Sequence, residues 1–72
     1  MEVDLILKVA KGILGFEIKC RESVDDSDIR SLRSIANALG NEWIGGGVIY
    51  RGDRLFQMDR NIWAIPSYRL FS

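Results

Sequence analysis

The chain has no histidine, a single cysteine, a single proline and no long apolar run. Each absence removes a class of function. Without histidine there is no His-built zinc site and no Ser-His or Cys-His catalytic pair. Cys20 alone cannot close an internal disulfide, so nothing argues for a secreted compartment. No apolar stretch approaches the about 18 residues of a membrane span. The acidic residues at positions 2 and 4 do not suit a signal peptide. The expectation is a cytoplasmic chain with no membrane partner. Net charge is also missing: the formal sum is zero, so there is no general basic field for nucleic acid. The distribution is uneven, with four basic and seven acidic side chains in residues 1–28 against six and three in residues 29–72. All six of the later basic residues are Arg, which fits phosphate contact and equally fits a solvated surface.

What is present is one small domain spanning residues 1–72. A chain of this size buries only about 60% of its unfolded surface, so its core is marginal. The composition, 47% hydrophobic and 28% charged, is ordinary for a globular protein. Its organising stretch is Glu2 to Cys20. Val3, Leu5, Leu7 and Val9 alternate with Glu2, Asp4, Ile6 and Lys8. After a Gly-containing break, Leu14, Phe16, Ile18 and Cys20 alternate with Gly15, Glu17 and Lys19. This is a β-hairpin pattern. If the loop has two residues, at Ala10-Lys11 or Lys11-Gly12, then Asp4 faces Glu17 or Lys19 and all three charged side chains share one face. A three-residue loop would place Asp4 opposite Ile18, on the other face, unless a bulge restored the register.

Asp25, Asp26 and Asp28 precede a helical pattern, where carboxylates favour the helix start. Asp25 or Ser27 is the expected N-cap, and that role explains the acidic cluster better than a metal site does. Ile29, Leu32, Ile35, Ala36 and Leu39 form one stripe, with Arg30 and Arg33 outside it. Gly40 stops the helix. Trp43 to Tyr50 reads as a strand whose Gly45-Gly46-Gly47 suggests a bulge or close backbone approach. A phosphate-cradling loop is poorly supported there, since no helix start follows. Arg51-Gly52-Asp53-Arg54 reads as a turn. Short strands are expected at Leu55–Met58 and Ile62–Ile65, ended by Pro66. A last helical turn over Ser67–Phe71 is expected to lay Tyr68, Leu70 or Phe71 on the core. The fold class is α/β (α+β): a mixed sheet of four to five strands in the order β-β-α-β-(β)-β, with one main helix over residues 27–39 packed on one face. The crossover makes the strands ending at Cys20 and Tyr50 parallel neighbours.

Asp4, twelve intervening residues and Glu17-Ile18-Lys19 resemble the PD-(D/E)xK nuclease signature. Over nearly the whole chain, Glu2-Val3-Asp4, Glu17-Ile18-Lys19, Val48-Ile49-Tyr50-Arg51-Gly52-Asp53 and Trp63-Ala64-Ile65-Pro66 resemble the nuclease-like domain found C-terminal to bacterial and archaeal P-loop (AAA-type) ATPases. The resemblance implies Asp4, Glu17 and Lys19 as catalytic residues. It implies Asp4, Glu17 and the Ile18 backbone carbonyl as ligands of Mg²⁺, with Mn²⁺ as a substitute and Glu2 as a further ligand. Such carboxylates suit a hard cation that keeps several waters. Lys19 would orient the attacking water and offset phosphate charge, and the substrate class would be DNA phosphodiesters.

The chain departs from that pattern. Val3 stands where the signature often has Pro. The superfamily core also begins with a helix and a strand before Asp4, whereas this chain starts at Met1. The resemblance therefore implies a partial restriction-endonuclease-like core, weak or inactive alone. Strand 2–9 becomes an exposed edge, and a sheet face that includes Ile6 is left uncovered. A homodimer through that edge or face is the expected partner arrangement. Two alternatives stand beside the nuclease reading: a non-catalytic interaction or dimerisation module from an ATPase C-terminal region, and a DNA-binding module without cleavage.

Overall fold

The structure is a computed structural model and describes residues 3–71. Strands β1 (Leu5–Val9) and β2 (Gly12–Ile18) form the expected hairpin. A 3₁₀ turn (Asp26–Ile29) leads into α1 (Arg30–Leu39), and a second 3₁₀ turn (Gly40–Glu42) leads into β3 (Trp43–Tyr50). Then follow β4 (Phe56–Asp59), β5 (Ile62–Pro66) and a terminal turn of helix, α2 (Tyr68–Phe71). The five strands make one mixed sheet in the order β1-β2-β3-β5-β4. β2 and β3 are parallel through the α1 crossover, β3 and β5 are parallel, and both outer strands run antiparallel to their neighbours. The small mixed fold read from the sequence is the one observed.

Local chemistry explains the boundaries. Val9 pairs with Gly12, so Ala10 and Lys11 form the two-residue loop. Asp25 caps the 3₁₀ turn: its Oδ1 accepts from the Ser27 N–H at 3.0 Å, and Asp28 Oδ2 accepts from the Asp25 N–H at 2.8 Å. This reciprocal pair satisfies donors that a helix start leaves open. Helical structure begins at Asp26 rather than 27, and its first turn is 3₁₀. Gly40 adopts φ 56° where α1 stops. Asn61 takes φ 59° between β4 and β5, a conformation its short polar side chain tolerates. The last strand keeps Pro66 as its final residue instead of ending before it.

The core lies on one side of the sheet. Ile29 and Leu32 are fully buried against Val48, Tyr50, Ile62 and Ala64, with Val24, Ile35, Ala36 and Leu39 packed around them. The pairings Gly46↔Ile62, Val48↔Ala64 and Tyr50↔Pro66 place these strand residues on a common face. Glu17 is opposite Val48 and so belongs to that covered face. Ile6 does too, since it pairs with Gly15, whose Cβ position would lie 3.5 Å from Ile6 Cδ1 and 3.0 Å from the Trp43 ring. Ile6 is nevertheless 47% exposed, so it is left uncovered as expected, although it points to the α1 side.

The opposite face of the sheet is apolar. Leu5, Leu7 and Val9 of β1 join Leu14, Phe16 and Ile18 of β2, Ile49 of β3, and Trp63 and Ile65 of β5. Tyr68 and Leu70 of the terminal turn are half exposed; the Phe71 side chain, the third candidate for the core, lies outside the described residues.

An ion cluster ties α1 to the elements beside it. Arg33 Nε donates to Asp59 Oδ2 at 2.6 Å, and Arg33 Nη2 donates to Asp26 Oδ1 at 2.8 Å. The Arg33 hydrogen bonds hold the Asp26 carboxyl below its usual range. For Asp59 the Arg60 backbone N–H is the larger cause and Arg33 the second, and the Ser27 hydroxyl and N–H lower Asp25. All three folded-state values are depressed. Their contribution is therefore present above the unfolded carboxylate value of about 3.9 and is lost as pH falls through the folded values. Urea midpoints are expected to be level between about pH 5 and pH 7 and to drop below about pH 4. Arg33→Gln is expected to make the acid drop shallower. A drop of unchanged steepness in that variant would remove Arg33 from the cause.

Candidate metal centre

The hairpin register brings the candidate residues to one end of β2. Asp4 lies in a bend just before β1, and its Oδ2 accepts from the Ile18 backbone N–H at 2.7 Å. Its carboxylate therefore sits against the Glu17-Ile18-Lys19 backbone. Extending the observed pairing Leu5↔Phe16 by one residue puts Asp4 level with Glu17, as a two-residue loop requires. Beyond β2 the ladder to β3 continues, with the Lys19 N–H donating to the Ile49 carbonyl at 2.8 Å.

Glu17 is the unexpected member. Its side chain is on the helix-covered face and only 6% exposed. Glu17 is therefore not a solvated surface charge. Lys19 Nζ stands 3.9 Å from Glu17 Oε1, at the outer limit of an ion pair. A buried carboxylate needs a cation or several hydrogen bonds to offset its desolvation, and the Lys19 ammonium meets part of that need.

The donor chemistry fits a hard divalent cation. Mg²⁺ commonly takes one or two carboxylates and completes its shell with water and substrate phosphate, and Asp4 with Glu17 supplies that pair. Glu2 lies outside the described residues. Among the described residues no cluster of three or more His, Cys, Asp or Glu is placed to hold a metal. The acidic group at Asp25, Asp26 and Asp28 is spent otherwise: Asp25 caps, Asp26 pairs with Arg33, and Asp28 pairs with Arg21.

Arg21 and Arg51, the latter read from the sequence as part of a turn, lie just past the ends of β2 and β3. Arg51 follows the end of β3, and its N–H donates to the Arg21 carbonyl at 2.8 Å. Cys20, Arg21, Glu22, Ser23 and Arg51 line an open hollow there. It stands beyond the carboxyl ends of two parallel strands, where open α/β sheets commonly bind ligands. The signal that could have found them is positional, since each arginine falls just past the end of a strand whose neighbour is parallel. Arg33 is committed to two aspartates and Arg21 to the buried Asp28, so both offer little to a phosphate. No helix of the described residues is long and apolar enough to cross a membrane.

A family model for a domain of unknown function, DUF4143, matches residues 1–70. No curated protein and no solved structure matches the chain.

Proposed function

Since the chain belongs to the DUF4143 family, we propose that it is a nuclease-like module that holds a divalent cation at Asp4 and Glu17 and engages nucleic-acid phosphodiesters. The observation that carries this reading is the hydrogen bond from the Ile18 N–H to Asp4. It sets one carboxylate beside the strand segment that bears the second carboxylate and the lysine. A bound Mg²⁺ would supply charge stabilisation to a phosphoryl oxygen and acidify a coordinated water. The chain's own residues do the rest. Asp4 and Glu17 fix the cation, and the Glu17 carboxylate holds the Lys19 ammonium where it offsets phosphate charge. Arg51 receives a neighbouring phosphate of the strand. On this reading its companion activity is a P-loop ATPase, in keeping with the residues quoted from the ATPase-associated domain.

Mn²⁺ titration followed by amide NMR tests the site. Selective broadening of residues 4 and 17–19 is expected, and Asp4→Ala should abolish it, weakening Mn²⁺ binding by at least about tenfold (about 1.4 kcal/mol). Uniform or absent broadening would sink the metal reading. A second reading, phosphate binding without cleavage, draws on Lys19 and Arg51, just past the ends of β2 and β3. Its mark is metal-independent binding to single-stranded DNA that weakens steeply with salt and weakens further in Arg51→Ala.

A further inference from the structure

The sheet has α1 on one face and bare apolar side chains on the other. Leu5, Leu7 and Val9 are each more than 40% exposed, as is Ile18, and Trp63 is 40% exposed. No charged residue of the paired strands points to this side; Gln57, opposite Trp63, is its polar border. The total accessible surface is 4985 Å², whereas a folded monomer of this mass exposes about 4,500 Å². The surplus is the size of one unpacked face.

We propose that this face is a self-association surface, occupied by the same face of a second copy of this chain. Three features select that occupant. The face lacks charge, so it imposes no electrostatic demand that a different partner would have to answer, and two copies meet apolar to apolar. Twisted sheets stack face to face about 10 Å apart with their strands within about 30° of each other, and a two-fold axis supplies that arrangement from one surface. The area is also adequate. Strand spacing of about 4.8 Å and a rise of about 3.3 Å per residue give the four contributing strands a footprint of about 400 Å². With side chains standing off that plane, two copies bury on the order of 1,200 Å², the lower bound for a stable specific interface.

Pairing through the free edge of β1 is the competing geometry between copies, and it fails on the same grounds. Edge addition would join two sheets side by side and leave both apolar faces in water. The stacked arrangement also leaves the Asp4–Glu17–Lys19 end of β2 open, because Glu17 lies on the opposite face.

The test is sedimentation equilibrium on the full chain from about 1 to 300 μM, an interval that spans micromolar dissociation constants. Twice the mass of one chain is expected at the upper end. Leu7→Glu, on the face, is expected to raise the dissociation constant at least 100-fold. Lys8→Glu, on the same strand but the other side, is expected to leave it within threefold. Leu7 is already exposed, so its variant should fold, and far-UV circular dichroism checks this. Wild-type chain that stays monomeric throughout overturns the proposal, as does a dimer that Lys8→Glu breaks and Leu7→Glu spares. A monomer that binds an added amphipathic helix peptide on this face also overturns it, by showing a different occupant. Asp4→Ala should still dimerise, so loss of the metal reading and loss of this one are read separately.

Discussion

Gly46→Ala is expected to remove cooperative folding. A Cβ built at Gly46 falls on the Gly15 backbone, nearest its carbonyl oxygen. Gly15 and Gly46 are directly paired across β2 and β3, so the clash is with the backbone of the central parallel pair and no side-chain rotation relieves it. Separating those strands breaks the ladder on which the crossover rests. The expected cost is more than about 4 kcal/mol, the size reserved for a forced backbone shift. A domain of this length has a total stability of about 4–11 kcal/mol. The outcome is read as loss of amide dispersion and of a sigmoidal thermal transition. Gly40→Ala is the contrast. No atom lies within 4 Å of a Cβ there, and only the backbone at φ 56°, ψ −120° resists, so a loss of about 1–3 kcal/mol is expected. If Gly46→Ala melts like the wild type, the triple glycine does not serve close approach of the strands.

Arg21→Ala is expected to destabilise by about 3 kcal/mol, because it strands a buried charge. Asp28 is 6% exposed. One of its oxygens accepts from the Asp25 N–H and the other from the Arg21 guanidinium. Removing the arginine leaves the second oxygen in the protein interior with no cation, whereas the half-exposed Arg21 side chain loses little of its own. Asp28→Asn keeps an oxygen for the Asp25 N–H and carries no charge, so it should cost less. Adding Arg21→Ala to Asp28→Asn should cost under about 1 kcal/mol more, which a double-mutant cycle in urea would show as strong coupling. Additive losses would mean that Arg21 works through packing of its stem.

Much of this molecule is legible in its sequence because the signals are local. Asp25 to Asp28 encode a cap, Ile29 to Leu39 a helical stripe, Gly40 a stop, and Leu5 to Ile18 a hairpin whose register needs only an even loop. The same locality hides which face becomes the core. In β2 the set Leu14, Phe16 and Ile18 is the more apolar, and pattern alone would bury it. The structure buries the set containing Gly15 and Glu17, because Val48 and Tyr50 of β3 carry the residues that Ile29 and Leu32 cover, and the parallel register brings Glu17 level with Val48. That choice is made across the 24-residue crossover between Ile18 and Trp43 and leaves no mark within either strand. The place of Arg21 and Arg51 was hidden for the same reason, since only strand order puts them side by side.

β1 has a ladder on one side only, and all five of its residues are exposed. Its amides are therefore expected to exchange with solvent deuterium through local opening, well before those of β3. Asp4 rides on that strand. Each opening carries one carboxylate away from Glu17, so the apparent affinity for a cation is the intrinsic affinity scaled by the fraction of time the strand is closed. Whatever latches β1 onto the sheet, whether a bound ion or a stacked neighbour, raises that fraction, and each such event makes the next more favourable without moving an atom of the core.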